Sequence, residues 1–244
     1  MTIVKKITDI IDEGRWHAGR NGMCDGDAGE TLERLLGIKI NNDPSADTSF
    51  GEIKTSKEGS HSTTKVSLFT KEPAYSISVR EDIFESYKYK KDGDYSLYSQ
   101  LTCNKFNNLG LKIEVDFSEK VIYVVDRNVG RLSDNYWTFD TIRKSLTKKH
   151  GKGLISVGRE SRKQNGQRQH RYTSVSKFSG ISMNRFLDSI VSGDIIIELR
   201  MSCREVGSST KWHDHGTIFR TPPSKLLGAV YSKHNVIRNY REES

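Results

Sequence analysis

The chain has 244 residues, enough to bury a full core in one domain or in one domain with an appended lobe. Its hydrophobic share of 34% is low for a globular protein, yet alternating apolar runs recur along its length, which argues against wholesale disorder. A formal charge of +8 favours an anionic partner, nucleic acid before anionic membrane, and no apolar run approaches the roughly 20 residues that a bilayer span needs, so a soluble, intracellular protein is expected. The N-terminal "MTIVKKITDIIDEG" has the charges of an amphipathic helix and no signal-peptide core. Ile3, Val4, Ile7, Ile10 and Ile11 predict that helix to Glu13, with Gly14 ending it. A glycine-rich loop follows. Thr31 to Leu36 reads as a second helix ended by Gly37, with Leu32, Leu35 and Leu36 inward and Glu33 at the edge of that face.

"NNDPSADTS" is a loop by its Pro and Asp signals, and "FGEIKTS" and "KVSLFTKEP" are strands, the second closed by Pro73. "LGLKIEVDF" and "KVIYVVD" form a β-hairpin around Ser118 and Glu119. Residues 138 to 149 are helical in pattern, "GLISVGRE" is a strand, Met183 to Val191 a helix, and "DIIIELRMS" and "GTIFR" are strands. "PPSKLLGAVY" opens a last helix with prolines near its first turn. From Arg143 to Arg185 twelve Lys or Arg face one acid, Glu160, so this segment either tracks phosphates or is a solvated loop. Three distant cysteines, Cys24, Cys103 and Cys203, show no CxxC spacing and are expected to be reduced. The element order argues for an α/β or α+β chain around one mixed central sheet.

Asp47, Glu52 and Lys54 carry the strongest chemical signal. On a strand, Glu52 and Lys54 emerge from one face while Ile53 points to the other, and the approach to the strand can turn Asp47 back towards Glu52. Two carboxylates there form a hard-oxygen site suited to Mg²⁺, and Lys54 beside the ion can hold a water or stabilise developing charge. Phosphodiester hydrolysis needs these parts, although a surface strand of alternating charges would look the same. Further on, the triplet His213, Asp214 and His215 is either a transition-metal site or a polar turn before a strand.

"GETLERLLG", "DTSFGEIKTS" and "LFTKEP", in that order, resemble the PD-(D/E)XK nuclease core in its MutH-like form. With "NYWTFDTI", "SGDIIIELR" and "HDHGTIFR" they are similar to the MvaI/BcnI family of monomeric type II restriction endonucleases, on the MvaI side, over most of the chain. The resemblance implies a mixed central β-sheet flanked by helices, in a single nuclease chain of two lobes around a DNA cleft, a catalytic lobe of about 1–130 and a recognition lobe of about 131–244. It implies that Asp47 and Glu52 bind Mg²⁺, joined by the Ile53 carbonyl, that Lys54 is the catalytic lysine, and that Glu33 positions a second ion or its water. Pro44 follows Asp43 rather than preceding Asp47, so Asp43 competes as first ligand, with spacing in favour of Asp47.

By the same resemblance His213, Asp214 and His215 lie near base edges, and Arg220 and Arg200 read guanines, with a phosphate clamp as the other reading of each arginine. His61 either enters the minor groove beside the scissile bond or is a solvated loop residue. The implied protein is a prokaryotic cytoplasmic enzyme that nicks each strand of double-stranded DNA in turn at a short, nearly palindromic site, CCWGG-like, and has a cognate DNA methyltransferase as its genetic partner. A MutH-like strand-specific nicking enzyme and a DNA-binding module without activity are the alternatives. The C-terminal "HDHGTIFR" block argues against the first, and the intact Asp47, Glu52 and Lys54 against the second.

Overall fold

The computed structural model describes residues 1–19, 26–38, 51–57, 65–74, 77–91, 94–206 and 209–239, with the side chains of 77–79, 133, 204–206 and 209–214 outside that description. In chain order the elements begin with α1 (Ile3–Glu13), β1 (His17–Ala18), α2 (Asp27–Leu36), β2 (Glu52–Lys57), β3 (Val66–Thr70) and α3 (Ile77–Tyr87). Strands β4 (Tyr89–Lys91), β5 (Asp94–Leu101), β6 (Leu111–Asp116), β7 (Val121–Asp126) and β8 (Gly130–Thr138) precede α4 (Phe139–His150). Then come β9 (Leu154–Gln164), β10 (Gln167–Ile181), α5 (Met183–Val191), β11 (Ile196–Val206), β12 (Ser209–Asp214) and β13 (Ile218–Thr221). A one-turn α6 (Leu226–Ala229) and β14 (Tyr231–Asn239) close the series. Among the described residues no helix is long and apolar enough to cross a membrane.

The chain divides into two compact units, each assembled from separate stretches: 1–66, 147–182 and 222–244 in the first, 67–146 and 183–221 in the second. This differs from the expected division near residue 130. The physical reason is strand pairing, because β2 pairs with β9 and β10 with β14, which draws late residues into the first unit.

In the first unit the sheet order is β1-β10-β9-β2, with β14 on β10, and β2 runs parallel to β9 while the other pairs are antiparallel. The sheet is therefore mixed, and α1 and α2 cover one face. Ile7 and Ile11 of α1, Leu32 and Leu36 of α2, and Ile53, Ile155, Val157, Tyr172 and Val175 of the sheet make a single buried cluster. Both helices end in the left-handed conformation, at Gly14 and Gly37, where glycine carries no Cβ penalty. The basic segment from Arg143 to Arg185 is the end of α4, the long β9–β10 hairpin and the start of α5 rather than a loop. Asn165 and Gly166, both at positive φ, supply the tight turn that matches strand twist.

The expected last helix is not formed. Leu227 is extended and Gly228 has φ 102°, so α6 stops after one turn and the chain enters β14, which pairs with β10 from Tyr231 onwards. Tertiary pairing there overrides the helical pattern of "SKLLGAV".

The second unit holds the sheet β3-β13-β11-β5-β4, with β12 on β11, and a three-stranded meander of β6, β7 and β8. Phe69, Phe186, Phe219 and Trp137 form its aromatic core, and the Trp137 indole N–H donates to the Lys71 carbonyl at 2.8 Å, so this tryptophan is a packing residue. The hairpin at Ser118 and Glu119 is present, with the Asp116 carboxylate accepting from both backbone N–H groups. Among the described residues neither Cys103 nor Cys203 forms a disulfide, and burial pushes the Cys103 thiol up to about 11.

One backbone contact fixes the start of β2. Gly51 has φ 133°, and a Cβ on it would stand 2.5 Å from the Gly153 carbonyl oxygen, the same oxygen that accepts from Glu52 N–H at 3.1 Å. Gly51→Ala is expected to cost about 1–3 kcal/mol through strain and a shifted β2–β9 register, read as a lower urea midpoint with an unchanged slope. An unchanged midpoint would show that the turn tolerates a side chain.

Candidate active site

Period-two alternation on β2 sends Ile53 into the helix-covered core and Glu52 and Lys54 to the opposite face. The Glu52 side chain has no exposed surface, and an isolated buried carboxylate would be prohibitively unfavourable. Two ammonium groups compensate it. Lys54 Nζ lies 2.6 Å from Oε1 and Lys149 Nζ lies 3.1 Å from Oε2. Lys54 is 33% exposed and Lys149 18%, so both cations stand at the rim of the site with the acid beneath them.

Lys149 is a site residue that the sequence reading missed. It stands in the last turn of α4, where a cation also favours the helix C-terminus. The next residue, His150, is fully buried and shares a 2.6 Å hydrogen bond through Nδ1 with the Tyr231 hydroxyl. Burial first and the Glu52 charge second hold the Tyr231 phenol well above the usual tyrosine range, so it keeps its proton. The pair ties the end of α4 to the start of β14. Tyr231→Phe is expected to lower stability by about 1 kcal/mol, the net yield of one buried hydrogen bond, measurable by thermal unfolding. A full wild-type melting temperature would remove the pair from the scaffold of the site.

Glu33 lies half-buried on α2, beside the buried Leu32, and α2 packs against β2. Its backbone carbonyl accepts from Ile38 N–H at 2.9 Å in the helix cap. Asp47 and its competitor Asp43 lie outside the described residues, as does His61. Trp16, half-buried, is covered by the guanidinium groups of Arg162 at 4.1 Å and Arg171 at 5.3 Å, which sets two cations of the β9–β10 hairpin on one aromatic ring.

In the second unit the expected guanine readers share one sheet face. Arg200 of β11 stands opposite Tyr98 of β5, and Glu198 opposite Gln100. Arg220 of β13 joins them through an ion pair, its Nη1 2.8 Å from Glu198 Oε2. Arg200 Nη2 donates to the His215 carbonyl at 2.8 Å, and His215 N–H returns a bond to the Arg200 carbonyl at 2.9 Å, which locks His215, itself exposed, beside the Tyr98 ring. The Nε donors of Arg200 and Arg220 have no hydrogen-bond partner among the described residues. His213 and Asp214 belong to β12, opposite Ser202 and Met201. Their backbone is therefore a strand rather than a turn, and their side chains lie outside the described residues. Tyr98, Gln100 and Glu198 were also missed, although the alternation in "YSLYSQL" and "IIIELR" places them on this face with Arg200.

A buried acid and a lysine two residues apart on the parallel strand of a mixed, helix-covered sheet define the PD-(D/E)XK class of nuclease. The family model described as MvaI/BcnI restriction endonuclease family matches residues 4–231. Among solved structures, one described as a restriction endonuclease MvaI-cognate DNA substrate complex has a TM-score of 0.81 at 27% identity, covering 96% of this chain and 96% of that one. Another, restriction endonuclease MvaI in the absence of DNA, has a TM-score of 0.58 at 26% identity, covering 97% of this chain and 96% of that one. No curated protein matches at a significant level. The chain belongs to the MvaI/BcnI restriction endonuclease family and is a type II site-specific restriction endonuclease.

Proposed function

We propose that this enzyme cuts double-stranded DNA at a CCWGG-like site as a monomer, nicking each strand in turn, with Mg²⁺ at Glu52. The observation that carries the catalytic part is the wholly buried Glu52 carboxylate meeting two ammonium groups. A buried carboxylate whose oxygens already attract cations is a donor that a hard divalent ion suits, and such an ion keeps several waters besides. Asp47 and the Ile53 carbonyl would complete the protein ligands, and Glu33 would position a second ion or its water. When bound, the ion polarises the scissile phosphate and lowers the pKa of the attacking water.

Lys54 orients that water and stabilises charge on the phosphoryl oxygens, a task suited to a compact point charge. Arg200 and Arg220 donate to guanine edges in the major groove, a role supported by their place on one sheet face and by the ion pair that aims Arg220. His213, Asp214 and His215 contact neighbouring bases, and His61 enters the minor groove. The first unit thus holds the chemistry and the second the reading. One catalytic centre per chain dictates sequential nicking, and a cognate methyltransferase protects the host's own sites in a prokaryotic cytoplasm.

The test is incubation of the purified protein with unmethylated phage DNA and Mg²⁺, followed by sequencing of the fragment ends. Discrete fragments ending in CCWGG are expected. Fragments sharing another motif would overturn the site, and uncut DNA with tight specific binding would overturn the catalytic reading.

A further inference from the structure

The arginines stacked on Trp16 share a sheet face with the candidate acid and lysine. Lys54 stands opposite Ser156 of β9, and the register shift of the hairpin falls in β10, between Tyr172 and Ser174, so alternation along β9 is unbroken. Glu160 and Arg162 therefore emerge on the face of Glu52 and Lys54, while Lys163 emerges on the other. At about 3.3 Å per residue, Glu160 and its cross-strand partner Arg171 lie roughly 13 Å along the sheet from Lys54, and Arg162 roughly 20 Å. Both distances fall within one turn of a DNA duplex, about 34 Å.

The two guanidinium groups on the ring differ in their partners. Arg171 donates from Nε and Nη2 to Glu160 Oε2, at 3.1 and 2.8 Å. Arg162 is exposed, lies 4.1 Å from the ring centroid, and donates from Nε to the neutral Gln169 Oε1 at 2.9 Å. Among the described residues no carboxylate pairs with Arg162. Ring and amide thus hold this guanidinium group without neutralising it, and Nη1 and Nη2, the fork that suits two phosphate oxygens, take no part in the Gln169 bond. A surface arginine ordinarily loses rotamer freedom when it binds; one already held on a ring loses less.

We propose that Arg162 binds a backbone phosphate of the DNA duplex within one turn of the cut, with Trp16 and Gln169 as its support. The contact carries no sequence information; it anchors the flank of the substrate to the first unit while base reading proceeds elsewhere. The contact itself needs only duplex DNA, whereas its distance from the cut rests on the reading of Glu52 and Lys54 as the catalytic pair.

The test is binding by the intact protein in Ca²⁺, without cleavage, to duplexes in which one backbone phosphate at a time is replaced by an uncharged methylphosphonate. The wild type should lose roughly tenfold in affinity at one or two adjacent phosphates flanking the cut, the scale of a charge-assisted hydrogen bond. Arg162→Gln should bind every duplex, whatever its sequence, roughly tenfold more weakly, with a salt slope shallower by about one, and should lose nothing further at those phosphates. Arg162→Lys, which keeps the charge without the fork, should restore the slope and part of the affinity. Lys163→Gln removes the same charge one residue along, on the opposite face, and should keep the wild-type response to each replacement. A wild-type pattern in Arg162→Gln, or the same loss of pattern in Lys163→Gln, would overturn the contact. A phosphate that answers to Arg162 but lies more than about ten base pairs from the mapped cut would keep the contact and overturn the placing of the cut at β2.

Discussion

Lys54→Ala is expected to bind a specific duplex with near wild-type affinity in Ca²⁺ and to cut it at least about a thousandfold more slowly in Mg²⁺, the scale on which one preorganised charge at a reacting centre acts. The variant should stay folded, because Lys149 still compensates the buried Glu52 carboxylate and the Lys54 side chain stands one-third exposed. Lys54→Arg should not restore the rate, since a planar fork cannot replace a point charge 2.6 Å from Oε1. Single-turnover cleavage and a gel shift on the same preparation separate chemistry from binding. Cleavage at the wild-type rate would move the active site away from β2.

Arg220→Ala is expected to lower discrimination at one G·C pair by about 1–3 kcal/mol, roughly ten- to a hundredfold, and to leave binding to unrelated DNA much less changed. The loss has two parts. A bidentate donor disappears, and Glu198, only 14% exposed, no longer has the guanidinium that neutralises it on the reading face. Competition binding against duplexes substituted one base pair at a time is the measurement. A fall that is uniform across sequences would make Arg220 a phosphate contact.

What was legible in the sequence was local. The isoleucine spacing of α1, the alternation of β2 and the glycines at helix ends are each written within a dozen residues, and the structure follows them. The candidate acid and lysine could be paired for the same reason, since strand geometry alone puts Glu52 and Lys54 on one face. Lys149 could not be found that way. It meets Glu52 because β2 pairs in parallel with β9, and no periodicity in either stretch announces a partner so far along the chain. The arginine-rich segment was ambiguous because its charges hide an alternation, although Asn165-Gly166 is a hairpin signal in its own right. "PPSKLLGAVY" failed for the opposite reason: its helical spacing is real, but the unpaired edge of β10 takes the chain from Tyr231 onwards as a strand.

The pairing that assembles the first unit also governs when it can exist. Strand β2 comes early in the chain, yet its neighbour β9 follows only after 96 further residues, and β14 closes the other side of β10 later still. Contacts so distant along the chain carry a loop-closure cost before they return any stability, and they form late. A nascent or truncated chain thus carries Glu52 and Lys54 without Lys149 beside them. The acid gains its second ammonium only once α4 is in place, and the sheet behind it is complete only when β14 has joined β10.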